Sequence, residues 1–208
     1  MSETPRSALL VDWGGVLTTN LFTSFGAFCT DEGIAPEALV ERFRGDKEFR
    51  ALLIAFEEGK IEELAFEEGF GGLLGIAHAG LIDRLFARVG PDVAMLDAVR
   101  AARAAGIRTG LVSNSWGTRR YDRAMLAELF DGVVISGEVG IRKPAPEMYR
   151  LGAERTGVAP ETCVYVDDLT FNLPPAAELG MATVHHTETA ETVRELERLL
   201  GVKLSGAA

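Results

Sequence analysis

From residue 106 onward, short apolar runs alternate with helical patterns, and this alternation restricts the fold more than any other feature. "GIRTGLVSN" reads as a strand ending in polar residues, "TRRYDRAMLAELF" as a helix, and "DGVVISG" as a short strand. "PAPEMYRLGAERTG" has prolines where a helix starts and closes on Gly157. "CVYVDD" is a buried strand ending in two acids, "TFNLPPAAELG" a short helix and "MATVHH" another strand. The last segment, "TETAETVRELERLLG", is an amphipathic helix with Val193, Leu196 and Leu200 on one face. Short apolar strands separated by helices make βαβ units, and those build a parallel sheet covered on both faces.

The amino-terminal region supplies one more strand and then changes character. Ala8 to Val11 is an apolar run that ends in Asp12 and is followed by Gly14 and Gly15. A charged carboxylate at the end of a buried strand is costly unless donors or a cation meet it. Residues from about 20 to 90 contain no strand pattern. "PEALVERFRG" reads as a helix. "DKEFRALLIAFEEG" places Phe49, Leu52, Leu53 and Phe56 at helical spacing, with Asp46 as cap and Gly59 as stop. "LIDRLFARVG" repeats the scheme with Leu81, Leu85 and Val89. The expectation is an α/β core interrupted, just after its first strand, by an all-helical insert.

In open parallel sheets, ligands sit beyond the carboxyl ends of the strands. Three strand ends here carry polar groups: Asp12, Ser113 with Asn114, and Asp167 with Asp168. Each alone is most simply a helix cap or a turn former. Together they would gather carboxylates in one crevice, where they repel unless a cation joins them. A few hard oxygen ligands completed by water suit Mg²⁺.

Composition narrows the partners. The formal net charge of -10 argues against nucleic acid and acidic membranes, which need a basic face. It leaves phosphate-bearing small molecules open, since one local cation can dominate a site. Hydrophobic residues make up 47% of 208, enough for an independent core. The two cysteines, Cys29 and Cys163, have no metal-ligand spacing and read as reduced thiols, which points to the cytoplasm. The opening "MSETPRS" is polar, and no run approaches the length of a membrane span.

The ordered motifs resemble those of the haloacid dehalogenase superfamily of aspartate-nucleophile hydrolases, nearly end to end. That family's first motif, an apolar strand running into Asp-x-Asp-Gly-Thr, appears as "LLVDWGGVLT". Its second, a strand ending in Thr or Ser, appears as "GLVSNS". Its Lys-Pro motif appears as "IRKPAPEMY", and its acidic strand end as "VYVDDLTFN". The stretch "VYVDDLTFNLPPAAELGM" looks most like the amino-terminal phosphatase domain of soluble epoxide hydrolases and the related bacterial sugar-phosphate phosphatases.

The resemblance implies a Rossmann-like core of residues 1–19 and 92–208 and a helical cap of residues 20–91. It implies a Mg²⁺-dependent phosphatase of a small phosphorylated metabolite, with Asp12 as nucleophile through an aspartyl-phosphate. Asp12, Asp168 and the Gly14 carbonyl would bind the metal, with Asp167 supporting them; Asn172, four residues after Asp168, fits the family spacing. Ser113 and the Asn114 amide would meet the phosphoryl oxygens, and Lys143 would balance charge. The chain departs from the pattern at Gly14, where the family usually has a second Asp that protonates the leaving group and activates water. That departure keeps a second reading open, a non-catalytic phosphate- or metal-binding protein. A dehalogenase is disfavoured, because it needs no metal and the acidic pair is intact. Monomer and homodimer both remain open.

The remaining candidates have ordinary readings. His185 and His186 are taken as a strand-end pair and His78 as a helix surface residue. Arg142 is taken as exposed, and the acidic run "EEGKIEELAFEEG" as a solvated helix face with Phe66 and Phe70 turned inward. Gly71, Gly72 and Gly75 read as a loop. Trp13 either lines the site or packs behind it.

Overall fold

The structure, a computed structural model, describes residues 6–204, so "MSETP" lies outside it. Five parallel strands form one sheet in the order β3-β2-β1-β4-β5. They are β1 (Ala8–Val11), β2 (Arg108–Ser113), β3 (Gly132–Ile135), β4 (Cys163–Asp167) and β5 (Ala182–His185). Alternate side chains point to opposite faces. Leu9, Val11, Leu111, Val164 and Val166 therefore join one apolar layer, and Ala8, Leu10, Val112, Val134 and Tyr165 the other. Helices α6 (Val93–Ala104), α7 (Arg123–Leu129) and α11 (Thr189–Leu200) contribute to the first layer. Helices α9 (Pro146–Thr156) and α10 (Leu173–Glu178) contribute to the second.

Chain order reverses between β1 and β4, which makes their carboxyl ends the switch point where such sheets bind ligands. Register sets what arrives there. Val11 pairs with Val166, so Asp12 and Asp167 emerge side by side. Val11 also pairs with Leu111, so β2 runs on to Ser113 at the same end.

Between β1 and α6 the chain forms α1 (Leu21–Asp31), α2 (Pro36–Gly45), α3 (Lys47–Glu57), α4 (Glu63–Leu74) and α5 (Leu81–Leu85). These share a separate apolar cluster rich in phenylalanine, with Phe56 and Phe66 stacked at 4.3 Å. The Asp46 side chain caps α3 by accepting from the Glu48 and Phe49 amides, as its sequence position predicts. The cluster also packs against Trp116, which follows β2. Among the described residues, no helix is long and apolar enough to cross a membrane.

Four local expectations are revised. Residues 118–130 do not form one helix: Tyr121 is extended and buried, and Asp122 restarts the helix by capping α7. The 81–90 helix stops at Leu85, after which Ala87 and Val89 make tighter turns that leave Phe86 against Phe25 and Trp116. Gly71 and Gly72 belong to α4, and only Gly75, left-handed at φ 71°, leaves it. The strand "DGVVISG" ends at Ile135 and turns directly into α8 (Ser136–Val139).

Candidate active site

Three carboxylates, Asp12, Asp167 and Asp168, offer oxygen atoms that all lie within 4.8 Å of one another. One cation answers them. Lys143 Nζ lies 2.8 Å from Asp12 Oδ1 and 2.7 Å from Asp167 Oδ2, and the lysine side chain is 1% exposed. The sites of the acids follow from the strand ends, but the lysine needs a loop to reach them. Asn114 provides the brace. Its side-chain oxygen accepts from the Lys143 amide at 2.8 Å, and its side-chain nitrogen donates to the Lys143 carbonyl at 3.1 Å. The side chain of Asn114 is thus fixed in place by two bonds to the Lys143 backbone.

The carboxylates are held unequally. Asp167 is completely buried. Lys143 and the Tyr165 hydroxyl donate to its Oδ2, while the Leu169 amide and Asn172 side chain donate to its Oδ1, each at 2.9 Å. Asp12 Oδ1 takes the Trp13 amide at 2.7 Å besides Lys143, and among the described residues no donor meets its Oδ2. Asp168 has no side-chain donor among the described residues, and its backbone carbonyl accepts from His185 Nε2 at 3.0 Å. Gly15 is required here. Its φ is +75°, and a Cβ would run into the Asp168 carboxylate.

The charges do not balance within the chain. Burial pushes Asp12 up to about 8; Lys143 pulls it down, and Asp167 and Asp168 push it further up. Burial and then Asp167 hold Asp168 at about 6. Burial alone would lower the Lys143 ammonium, but Asp12 and Asp167 outweigh it, so its pKa is raised. The buried acceptor Asn172 Oδ1 also has no partner. Three acids around one ammonium, with an unused acceptor beside them, suit a cation carrying bound water.

Asp12, Gly14, Asn114, Lys143 and Asp168 open on one cavity of about 710 Å³, with Asn172 in its wall; Ser113 and Asp167 are buried behind it. Ser113 Oγ lies 2.9 Å from the Tyr121 hydroxyl, a pairing the sequence did not signal. Trp13 packs against Tyr121, with ring centres 5.6 Å apart, and does not line this cavity. His186 bonds Thr192, His78 is exposed, and neither they nor His185 line it.

Arg142 and the acidic run depart from their expected roles. Arg142 is half-buried and pairs with Glu57, whose side chain is 6% exposed, and both line the cavity. Burial raises the Glu57 pKa and Arg142 opposes this. The Glu57 carbonyl accepts from Ser136 Oγ and, at 3.4 Å, from Ser115 Oγ. Glu67 is buried as well and accepts from the Ile82 amide at 2.9 Å. Phe66 and Phe70 do point inward. In the sequence Glu57 and Glu67 each follow a phenylalanine but are followed by another Glu, so nothing local marked them as turning inward.

A sequence model of haloacid dehalogenase-like hydrolases matches residues 7–180. Rat bifunctional epoxide hydrolase 2 is 33% identical over 120 residues, which cover 54% of this chain but only 22% of that protein. The chain thus spans about a fifth of the length of this relative. The glyceraldehyde 3-phosphate phosphatase of Methanopyrus kandleri is 31% identical over 116 residues, 54% of this chain and 50% of that one. A haloacid dehalogenase-family enzyme of Bacteroides thetaiotaomicron, solved with magnesium and inorganic phosphate, superposes with a TM-score of 0.66. It is 22% identical and covers 88% of this chain and 94% of its own.

Proposed function

The chain belongs to the haloacid dehalogenase-like hydrolases, and we propose that it is a Mg²⁺-dependent phosphatase of a small phosphorylated metabolite. In this reading residues 20–91 form a cap over a core of residues 1–19 and 92–208. The observation that carries it is the crowding of Asp12, Asp167 and Asp168 around the single buried Lys143 at the end of an open cavity. A site so acidic is unsuited to an anionic ester until a cation joins it.

Asp12 and Asp168, with the Gly14 carbonyl and with Asp167 behind them, would hold Mg²⁺. When bound, the ion supplies positive charge that neutralises the transferring phosphoryl group. Lys143 favours the ionised form of Asp12 and, with the Trp13 amide, orients it through Oδ1, so Oδ2 is the oxygen that attacks phosphorus. The bond from phosphorus to the ester oxygen breaks, and the departing alkoxide takes up a proton. Water then cleaves the acyl phosphate on Asp12, releasing phosphate and restoring the carboxylate. Ser113 and the Asn114 amide donate to the phosphoryl oxygens, with Tyr121 orienting the Ser113 hydroxyl. Gly14 offers no carboxylate to protonate the leaving group, so that proton comes from solvent or from another residue of the cavity.

Hydrolysis of nitrophenyl phosphate with and without Mg²⁺ tests the reading. Wild type turns it over only with the metal. Asp12→Asn, nearly isosteric, loses about 10³-fold or more while melting normally. Metal-independent turnover, or an active Asp12→Asn, would contradict the assignment.

A further inference from the structure

The cavity above the carboxylates is apolar where a sugar phosphate would need donors and acceptors. Phe22, Val40, Ile54 and Phe171 are between 38% and 55% exposed, and all four line it. Among the described residues only Leu64 and Val93 are comparably exposed large hydrophobic side chains, and neither lines it. Exposed apolar surface gathered in one place marks a ligand or partner site. Here it is continuous with Asp12 and Asp168.

Several of the polar groups nearby are engaged by one another, and the unpartnered acceptors of Asp12, Asp168 and Asn172 lie at the phosphate end. Asn114 is bonded on both sides to the Lys143 backbone. Glu57 and Arg142 pair with each other. Arg44 and Arg50 also line the wall and are exposed, and Arg50 donates to the Arg44 carbonyl. A ligand's hydroxyl groups would be stripped of water here and offered few partners in return.

We propose that the alcohol half of the substrate is apolar: the substrate is a phosphate monoester of a hydrocarbon alcohol, not of a sugar or a triose. The proposal rests on the phosphatase reading for the phosphate end, while the apolar chamber stands independently of turnover. A volume of about 710 Å³ suits a ligand of drug-like size.

The test is a homologous series of ethyl, butyl, hexyl and octyl phosphate, compared with glyceraldehyde 3-phosphate. Leaving-group chemistry hardly changes along the alkyl series, so chain length reports burial. The expected result is a rise in kcat/KM of about 2- to 4-fold per methylene, carried mainly by KM. Octyl phosphate should exceed glyceraldehyde 3-phosphate by about 100-fold. Ile54→Asp and Phe22→Asp, both at partly exposed positions, should flatten the slope. Calorimetry with ethyl and octyl phosphonate, which cannot be hydrolysed, should show the same chain-length gain in affinity. If no phosphate is turned over but octyl phosphonate binds far more tightly than ethyl phosphonate, the phosphatase reading fails and the chamber assignment stands. If phosphates are hydrolysed with a flat slope, or the triose phosphate is preferred, the chamber assignment is overturned and the phosphatase reading stands. A flat slope together with a dimer that Ile54→Asp dissociates would give the surface to a second copy of the chain.

Discussion

The two walls of the cavity are built on opposite rules. At the sheet end, Asp12, Lys143, Asp167 and Asn114 are buried or half-buried, and their bonds fix one another. On the helical side, Phe22, Val40 and Ile54 are partly exposed and meet the cavity through hydrocarbon alone. The first wall must hold reacting atoms within a fraction of an ångström, which takes mutually locked polar groups. The second needs only shape and the exclusion of water, which tolerates a looser surface. In the proposed reading, chemistry falls to the sheet and selection to the helices.

The sharpest break in this contrast is Lys143→Met against Phe22→Ala. Losing the ammonium leaves Asp12 and Asp167 facing each other in a dry site. The expected cost is about 3–5 kcal/mol of stability, with a fall in kcat of about 10²–10³-fold. Phe22→Ala removes more atoms, yet it should change stability by about 0.5 kcal/mol or less and act on KM. Melting curves and steady-state kinetics of both variants decide. A comparable loss of kcat in Phe22→Ala would erase the distinction between the walls.

The next effect concerns the metal and pH. In the fold Asp12 and Asp168 are raised from 3.8 to about 8 and about 6, mainly by burial. The metal-free fold therefore binds more protons than the unfolded chain between about pH 4 and pH 8, and its stability falls as pH rises through that window. Mg²⁺ must displace those protons. Its stabilisation should be small at about pH 5 and grow toward about pH 8, read as a rising Tm shift. Asp168→Ala should remove most of the shift at the higher pH, and Asp167→Ala less of it. Equal shifts in wild type and Asp168→Ala would remove Asp168 from the metal site.

A smaller effect is expected at Gly14. Without a carboxylate there, wild type should favour good leaving groups, with a steep dependence of rate on leaving-group pKa. Gly14→Asp should flatten that dependence and raise alkyl phosphate turnover about 10-fold, near the low end of general acid catalysis. The backbone permits the change: Gly14 is not among the glycines with positive φ, and its Cβ would lie 2.7 Å from Leu21 Cδ1, the end of a flexible side chain. A flat dependence in wild type would mean that another group supplies the proton, and Glu57 is the one acid among the cavity's helical lining residues.

The same division explains what the sequence disclosed. Asp12 and Asp167 were legible because strand register is encoded locally: an apolar run ends, and the next side chain must leave the sheet beside its neighbour. Lys143 entered through its resemblance to a known motif. Its brace by Asn114 was invisible, since two residues 29 apart bond only once the fold has formed. Arg142 and Glu57 were misjudged for a related reason. Each looks like surface charge in its own segment, and only the packing of α3 against the loop before Lys143 pairs and buries them. The apolar wall was not anticipated either, because helix periodicity identifies an apolar face without saying whether protein or ligand covers it.

The central claim is that the sheet end exists to pass a phosphoryl group to Asp12. Rapid acid quench of the Mg²⁺-loaded protein with nitrophenyl phosphate, followed by peptide mass spectrometry, tests it directly. A phosphorylated peptide containing Asp12 should appear within one turnover, decay as substrate is exhausted and be absent from Asp12→Asn. Turnover without any phosphopeptide, or a phosphoryl group on another residue, would contradict it.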